Sequence, residues 1–144
     1  MITLNDVEAA AGKILSYVRR TPLWKNETLS TSLGTNVYLK MEIFQKTGSF
    51  KLRGAFNQML ARSKDELVKG VVAISGGNFA QGAAYASRVL GVDAIVCMAE
   101  DTPQNYIDAT RGYSATIDFS PDIQTAITRY NEFAEQGRVA LHPY

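Results

Sequence analysis

Apolar positions in the first half of the chain fall at helical spacing in two stretches. The first stretch predicts a helix over residues 6–18, which Thr21-Pro22 stops. The second predicts a helix over residues 51–63. Between them, the run 37–41 predicts a strand, and residues 45–49 predict a loop. The apolar faces of the two helices are formed by Ala9, Ala10, Ile14, Leu15 and Val18, and by Leu52, Ala55, Phe56, Met59 and Leu60.

From residue 71 onward, short apolar runs alternate with helical stretches. The runs 71–75, 93–98 and 114–119 predict strands, and residues 138–141 predict a weaker fourth strand. Three helices are predicted between and after these strands. The first spans residues 78–90, the second is capped by Thr102 and ends at Gly112, and the third begins at Ser120-Pro121 and ends at Gly137. Strands that are apolar on both faces and alternate with helices predict an α/β fold, an open parallel sheet with helices on both faces.

Composition narrows the class of protein. The chain has 144 residues, enough for one ordinary domain with a real core, and a net charge of +1 offers no patch for nucleic acid or an anionic membrane. Cys97 is the only cysteine and His142 the only histidine, which excludes a disulfide framework and argues against a metal site. The first residues carry neither a basic nor an apolar leader segment, so we expect a cytoplasmic protein.

The stretch Thr47-Gly48-Ser49-Phe50-Lys51-Leu52-Arg53-Gly54-Ala55 is the most informative one. It sets a lysine at the start of a predicted helix, behind a glycine turn and beside an aromatic ring. The partial positive charge of a helix N-terminus favours the neutral amine, the form that attacks a carbonyl to make a Schiff base. Taken alone, Lys51 is more often a surface lysine of a first helical turn, and Arg53 is expected to be a solvated cation.

A second stretch, Ser75-Gly76-Gly77-Asn78-Phe79-Ala80-Gln81-Gly82, joins a predicted strand to a predicted helix. At such a junction in an α/β sheet, backbone N–H groups bind carboxylate or phosphate. The alternative is a tight turn in which Asn78 only caps the helix. Dinucleotide binding is a weaker candidate. Glu100 and Asp101 lie near the end of the next predicted strand, but the glycine spacing is not G-x-G-x-x-G.

Together, in this order, the two stretches resemble the threonine dehydratase and serine racemase group of fold type II enzymes, which are tryptophan-synthase-β-like and depend on pyridoxal 5'-phosphate (PLP). The resemblance also covers Arg20-Thr21-Pro22-Leu23, Leu39-Lys40-Met41-Glu42, Ala109-Thr110-Arg111-Gly112-Tyr113 and His142-Pro143-Tyr144. It implies PLP as the cofactor and Lys51 as the catalytic Schiff-base lysine. It further implies that Phe50 packs on the cofactor ring and that Asn78 bonds its phenolic oxygen. The backbone amides of Ser75, Gly76 and Gly77 would hold the substrate carboxylate.

The implied reaction removes the α-proton of a β-hydroxy-α-amino acid such as L-threonine or L-serine and expels the β-hydroxyl, giving a 2-oxo acid and ammonia. Two positions depart from the group. Phe79 stands where histidine is usual, and Gly76 stands where serine racemases carry a serine that serves as an acid/base. Racemisation needs a proton donor on each face of the cofactor, whereas elimination can run with Lys51 alone. A dehydratase is therefore favoured, and a racemase is the alternative.

The same resemblance predicts the domain organisation. Residues 1–53 would be N-terminal elements of a large domain, and residues 54–144 a small αβ domain. The glycine-rich phosphate loop of such enzymes, and the residue that bonds the pyridine nitrogen, lie in a second half not found in this sequence. We therefore expect a piece of a longer protein, which would form a homo-oligomer. The competing hypothesis is a catalytically silent α/β module that binds a small anion or a partner chain.

Overall fold

The structure, a computed structural model, describes residues 1–143; Tyr144, the last residue of the predicted small domain, lies outside them. Its first elements are α1 (Leu4–Ile14), β1 (Leu23–Lys25), α2 (Glu27–Leu33), β2 (Tyr38–Lys40), a 3₁₀ turn (Glu42–Phe44), α3 (Lys51–Met59) and α4 (Lys64–Leu67). There follow β3 (Val71–Ile74), α5 (Asn78–Leu90), β4 (Ala94–Ala99), α6 (Gln104–Gly112), β5 (Thr116–Ser120), α7 (Ile123–Glu135) and β6 (Val139–Leu141).

The N-terminal part is a small antiparallel ribbon with helices beside it. Strand β1 pairs with β2, so that Leu23 lies opposite Lys40 and Lys25 opposite Tyr38. The strand predicted at 37–41 is confirmed as β2, while β1 and α2 were not predicted. Every residue of the two strands is exposed, so neither strand shows the alternation of apolar and polar positions that a half-buried strand displays.

Four parallel strands in the order β5-β4-β3-β6 form the central sheet, which confirms the predicted fold class. Successive side chains of β3 point to opposite faces of the sheet. Val71 and Ala73 join the main core, together with residues of α3, α5 and α6, whereas Val72 packs with Cys97 and Ala126 of α7 on the other face. Helices therefore cover both faces.

The strand order places a topological switch point beside β3. The next strand along the chain, β4, lies on one side of β3, and β6 lies on the other, reached through α7 across the far face. The order of the strands therefore reverses between β3 and β6, and at such a point an open α/β sheet has a crevice outside the carboxyl ends of the two strands. The crevice is bordered by Ser75 after β3 and by His142 after β6.

The helix ends confirm some of the predicted caps and bounds and contradict others. The predicted bounds of α5 are confirmed, and Gly91 ends it with φ +67°, a conformation that favours glycine. Thr102 does not cap α6, because Pro103 holds the cap position and the helix begins at Gln104. Likewise, Asp122 caps α7 by accepting from the Thr125 N–H at 2.7 Å, in place of the predicted Ser120.

The predicted boundary between residues 53 and 54 falls inside α3 and stays a prediction. Helix α1 contacts α3, and Ile14 of α1 shares the main core with Phe56 of α3. No helix among residues 1–143 combines the length and apolarity needed to cross a membrane.

Candidate active site

Lys51 is the first residue of α3, and its amine lies at the carboxyl end of β6. The Lys51 Nζ donates to the carbonyl oxygen of Pro143 at 2.8 Å, two residues beyond the end of that strand. Phe50 occupies the cap position of α3, 59% exposed, with its ring centroid 5.3 Å from the Lys51 Nζ. Gly48, with φ +70°, makes the turn that leads into the helix. The predicted helix start, glycine turn and neighbouring ring are thus all present.

The loop before Lys51 is fixed by a buried side chain. The Gln45 Oε1 accepts from the backbone N–H of Arg19 at 2.9 Å and of Lys46 at 3.0 Å, and its Nε2 donates to the Arg19 carbonyl at 3.0 Å. Gln45 is 3% exposed, so each of these bonds is shielded from water. The hydroxyls of Thr47 and Ser49 are buried beside it and have no hydrogen-bond partner among residues 1–143. These two orphaned hydroxyls leave hydrogen-bonding capacity in the loop that the described residues do not use.

An ion pair ties α3 to the segment before it. Arg53 donates through Nε and Nη2 to the two carboxylate oxygens of Glu42 at 2.9 and 2.7 Å. The Glu42 carboxylate also accepts from the Thr21 hydroxyl. The hydrogen bond from Arg53 holds the pKa of Glu42 below its usual range, against the opposing effect of burial. The expectation that Arg53 is a solvated cation is therefore wrong. The pair was not predictable from local sequence, because Glu42 lies eleven residues before Arg53 and on another element.

The loop after β3 offers fewer open amides than the sequence suggests. The Ser75 N–H donates to the Cys97 carbonyl at 3.2 Å, and the Gly77 N–H donates to the Ser75 hydroxyl at 3.2 Å. The Gly76 N–H and the first N–H groups of α5 are left to face a ligand. Asn78 is the exposed first residue of α5, and Gly77 holds the cap position, so the alternative in which Asn78 caps the helix is wrong.

Gly82 and Phe79 of α5 have structural roles that were not predicted from the sequence. A Cβ atom on Gly82 would lie 3.2 Å from the Leu52 nitrogen and 3.3 Å from the Lys51 carbonyl carbon, so the backbones of α5 and α3 meet there. The sequence carried one signal of this contact, because a glycine inside a predicted helix often marks a close packing contact. Phe79 is 3% exposed and belongs to the main core. At the position where the resembled group carries a histidine, this chain therefore has a packing residue.

Helices α3 and α5 pack against each other, and the two predicted stretches lie at the carboxyl ends of the neighbouring strands β6 and β3. The Lys51 amine lies at the end of β6, and the Gly76 amide follows β3, the strand to which β6 is hydrogen-bonded. An amine, an exposed ring, orphaned hydroxyls and backbone amides can together hold an aromatic aldehyde and a carboxylate. The roles of Phe50, Lys51, Ser75, Gly76, Gly77 and Asn78 stay predictions.

Comparison with known proteins gives a consistent assignment. Residues 14–144 match the family model described as "Pyridoxal-phosphate dependent enzyme". The chain is 40% identical over 147 aligned positions to the L-threonine dehydratase catabolic TdcB of Staphylococcus aureus (strain USA300), covering all of this chain and 42% of that protein. The chain thus spans less than half the length of the curated relatives that it matches.

Solved structures with the same fold come from both reaction classes that the sequence suggests. Maize serine racemase superposes with a TM-score of 0.91 at 30% identity, over 97% of this chain and 43% of that one. The processed form of threonine deaminase isoform 2 from Solanum lycopersicum superposes with a TM-score of 0.85 at 35% identity, over 99% of this chain and 41% of that one.

Proposed function

The chain belongs to the pyridoxal-phosphate dependent enzymes, and from this premise we propose that the protein is a PLP-dependent ammonia-lyase. Its substrate would be L-threonine, L-serine or a related β-hydroxy-α-amino acid, and its products a 2-oxo acid and ammonia. The observation that carries the proposal is the place of the Lys51 amine at the switch point, one strand away from the open Gly76 amide.

The residues at the crevice fit the cofactor. Lys51 supplies the amine that would bind the PLP aldehyde, and the exposed Phe50 ring beside it is free of core packing and can cover a flat aromatic ring. The orphaned hydroxyls of Thr47 and Ser49 lie in the loop that leads to this amine and would gain a partner. Asn78 would bond the phenolic oxygen from the start of α5.

Each residue then has a task defined by its chemistry. When bound, PLP supplies an electron sink for the α-carbon of an amino acid. The Gly76 amide and the first amides of α5 orient the substrate carboxylate, and the Lys51 amine takes the α-proton. Loss of the β-hydroxyl as water, followed by addition of water and loss of ammonia, converts L-threonine to a 2-oxo acid without any external oxidant.

Racemase activity is the alternative within the same family. Gly76 has no side chain to act as a second proton donor, and the Phe79 side chain packs in the core. Both observations favour elimination over racemisation. A catalytically silent α/β module that binds a small anion or a partner chain is the alternative from another class.

The domain and assembly proposals rest on exposed apolar side chains. Several large apolar residues around β1, β2 and the 3₁₀ turn are open to solvent, which favours a covering domain or a second subunit. They are Leu23, Trp24, Tyr38, Leu39, Ile43 and Phe44. We propose that residues 1–53 belong to a larger domain, that residues 54–144 form a small domain, and that the protein is a cytoplasmic homo-oligomer.

Turnover tests the proposal directly. The protein is incubated with PLP and either L-threonine or L-serine, and 2-oxo acid, ammonia and D-serine are measured. A dehydratase gives equal amounts of 2-oxo acid and ammonia, and Lys51→Ala gives neither. Formation of D-serine without 2-oxo acid supports the racemase, and a lack of every product in protein that binds PLP supports the silent module.

A further inference from the structure

The side chain of Thr102 lies against Gly76, on the side where any other residue at position 76 would place its Cβ atom. A Cβ atom on Gly76 would lie 2.8 Å from the Thr102 Oγ1 and 3.3 Å from its Cγ2. Gly76 follows β3, and Thr102 follows β4, the neighbouring parallel strand. The two residues therefore meet at the carboxyl edge of the sheet, with the Thr102 hydroxyl against the side of Gly76 from which a side chain would project.

The Thr102 hydroxyl is not used elsewhere in the described part of the chain. A threonine before a proline at a helix start commonly caps the helix, but α6 has no side-chain cap, and Pro103 holds the cap position. The Thr102 N–H donates to the Ala99 carbonyl at 3.1 Å, which fixes the backbone of this residue. No residue from 1 to 143 hydrogen-bonds to its Oγ1, so this hydroxyl, which lies next to Gly76, can bond a ligand.

We propose that Thr102 is a substrate-positioning residue, whose hydroxyl donates to the carboxylate that the Gly76 amide binds. The inference rests on the proposed function, because it assigns a further contact to the same carboxylate. A hydroxyl from β4 and an amide from β3 approach the carboxylate from two strands, and together they set its orientation. A Cβ atom at position 76 would also crowd the Thr102 hydroxyl and methyl groups.

Ligand binding without turnover tests this role. The ¹⁵N-labelled chain is titrated with L-serine and, separately, with ethanolamine, which lacks the carboxylate, while the amide signals of Gly76 and Gly77 are followed. Thr102→Val keeps the shape and removes the hydroxyl, and Thr102→Ser keeps the hydroxyl. We expect Thr102→Val to weaken L-serine binding about tenfold, the effect of one hydrogen bond to a charged group, and Thr102→Ser to stay within about twofold.

The outcomes separate this inference from the proposed function. If wild type and Thr102→Val bind L-serine equally, the role of Thr102 is overturned and the carboxylate site stands. If L-serine shifts no amide of the Gly76 loop, or if ethanolamine shifts them equally, both the inference and the proposed carboxylate site fail.

A second measurement tests the position of Thr102 without a ligand. Gly76→Ala is expected to lower the melting temperature by about 4 °C in the wild-type chain, since the new methyl group meets Thr102. In a Thr102→Ala background, Gly76→Ala is expected to leave the melting temperature unchanged. Equal losses in both backgrounds would show that the two side chains do not share this space and would overturn the inference.

Discussion

Gly82 of α5 lies directly against the backbone of Leu52 in α3, where a Cβ atom would be 3.2 Å from the Leu52 nitrogen. The contact is between backbone atoms, which cannot rotate away as the end of a flexible side chain can. It fixes the distance between the helix that begins with Lys51 and the helix that begins with Asn78. The close approach of α3 and α5 therefore sets the spacing between these two helix starts.

Gly82→Ala is predicted to destabilise the protein by about 1–3 kcal/mol, because overpacking forces the two helices apart. Denaturant unfolding followed by circular dichroism measures the loss. Gly54→Ala is the matched control, since Gly54 lies in α3 with open space around it. That change is expected to stabilise the helix by up to about 1 kcal/mol. A stabilising Gly82→Ala would contradict the close contact.

The pair of Glu42 and Arg53 is predicted to make stability depend on pH. Because the folded state lowers the pKa of Glu42 below 4.5, the pair stabilises the protein fully above that value. Its contribution is lost as the pH falls through the lowered pKa of the folded state. Glu42→Gln is expected to cost about 1–2 kcal/mol at pH 7 and progressively less toward pH 3.

Unfolding free energies of wild type and Glu42→Gln, measured from pH 7 down to pH 3, check this expectation. Glu8→Gln is the control, since Glu8 lies exposed on α1. A difference between wild type and Glu42→Gln that stays constant over this range would show that the Glu42 charge does not carry the stabilisation.

Cys97 is predicted to resist thiol reagents in the native protein. It is fully buried in β4, and burial raises the pKa of its thiol to about 12, with the Asp118 carboxylate adding to the effect. We expect iodoacetamide at pH 8 to label the native chain at least about a hundredfold more slowly than the urea-unfolded chain. Mass spectrometry of timed samples gives both rates. Equal rates would mean that the core around Val72, Cys97 and Ala126 is open.

The structure is most predictable from the sequence where neighbours along the chain determine it. The bounds of α5 follow from its apolar spacing and from Gly91, and the parallel sheet follows from short apolar runs between helices. The same reasoning located Lys51 at a helix start and the glycine loop at a strand end, which are the two local requirements of the site.

Features that depend on residues far apart in the chain could not be predicted from the sequence. Strand β1 exists because it pairs with β2, and its exposed residues carry no period of their own. Arg53 is bound by Glu42 from another element, and the contact between Gly76 and Thr102 joins two strand ends about 25 residues apart. Among the amides at the glycine loop, the sequence could not show that Ser75 and Gly77 already have partners within the protein.

Covalent capture of the cofactor tests the central claim most directly. The purified chain is mixed with PLP, reduced with borohydride and digested, and the modified lysine is located by peptide mass mapping. The account predicts a single pyridoxyl adduct at Lys51, which disappears in Lys51→Ala. Labelling spread over the exposed lysines and unchanged in Lys51→Ala would contradict it, because the crevice would then have no cofactor site of its own.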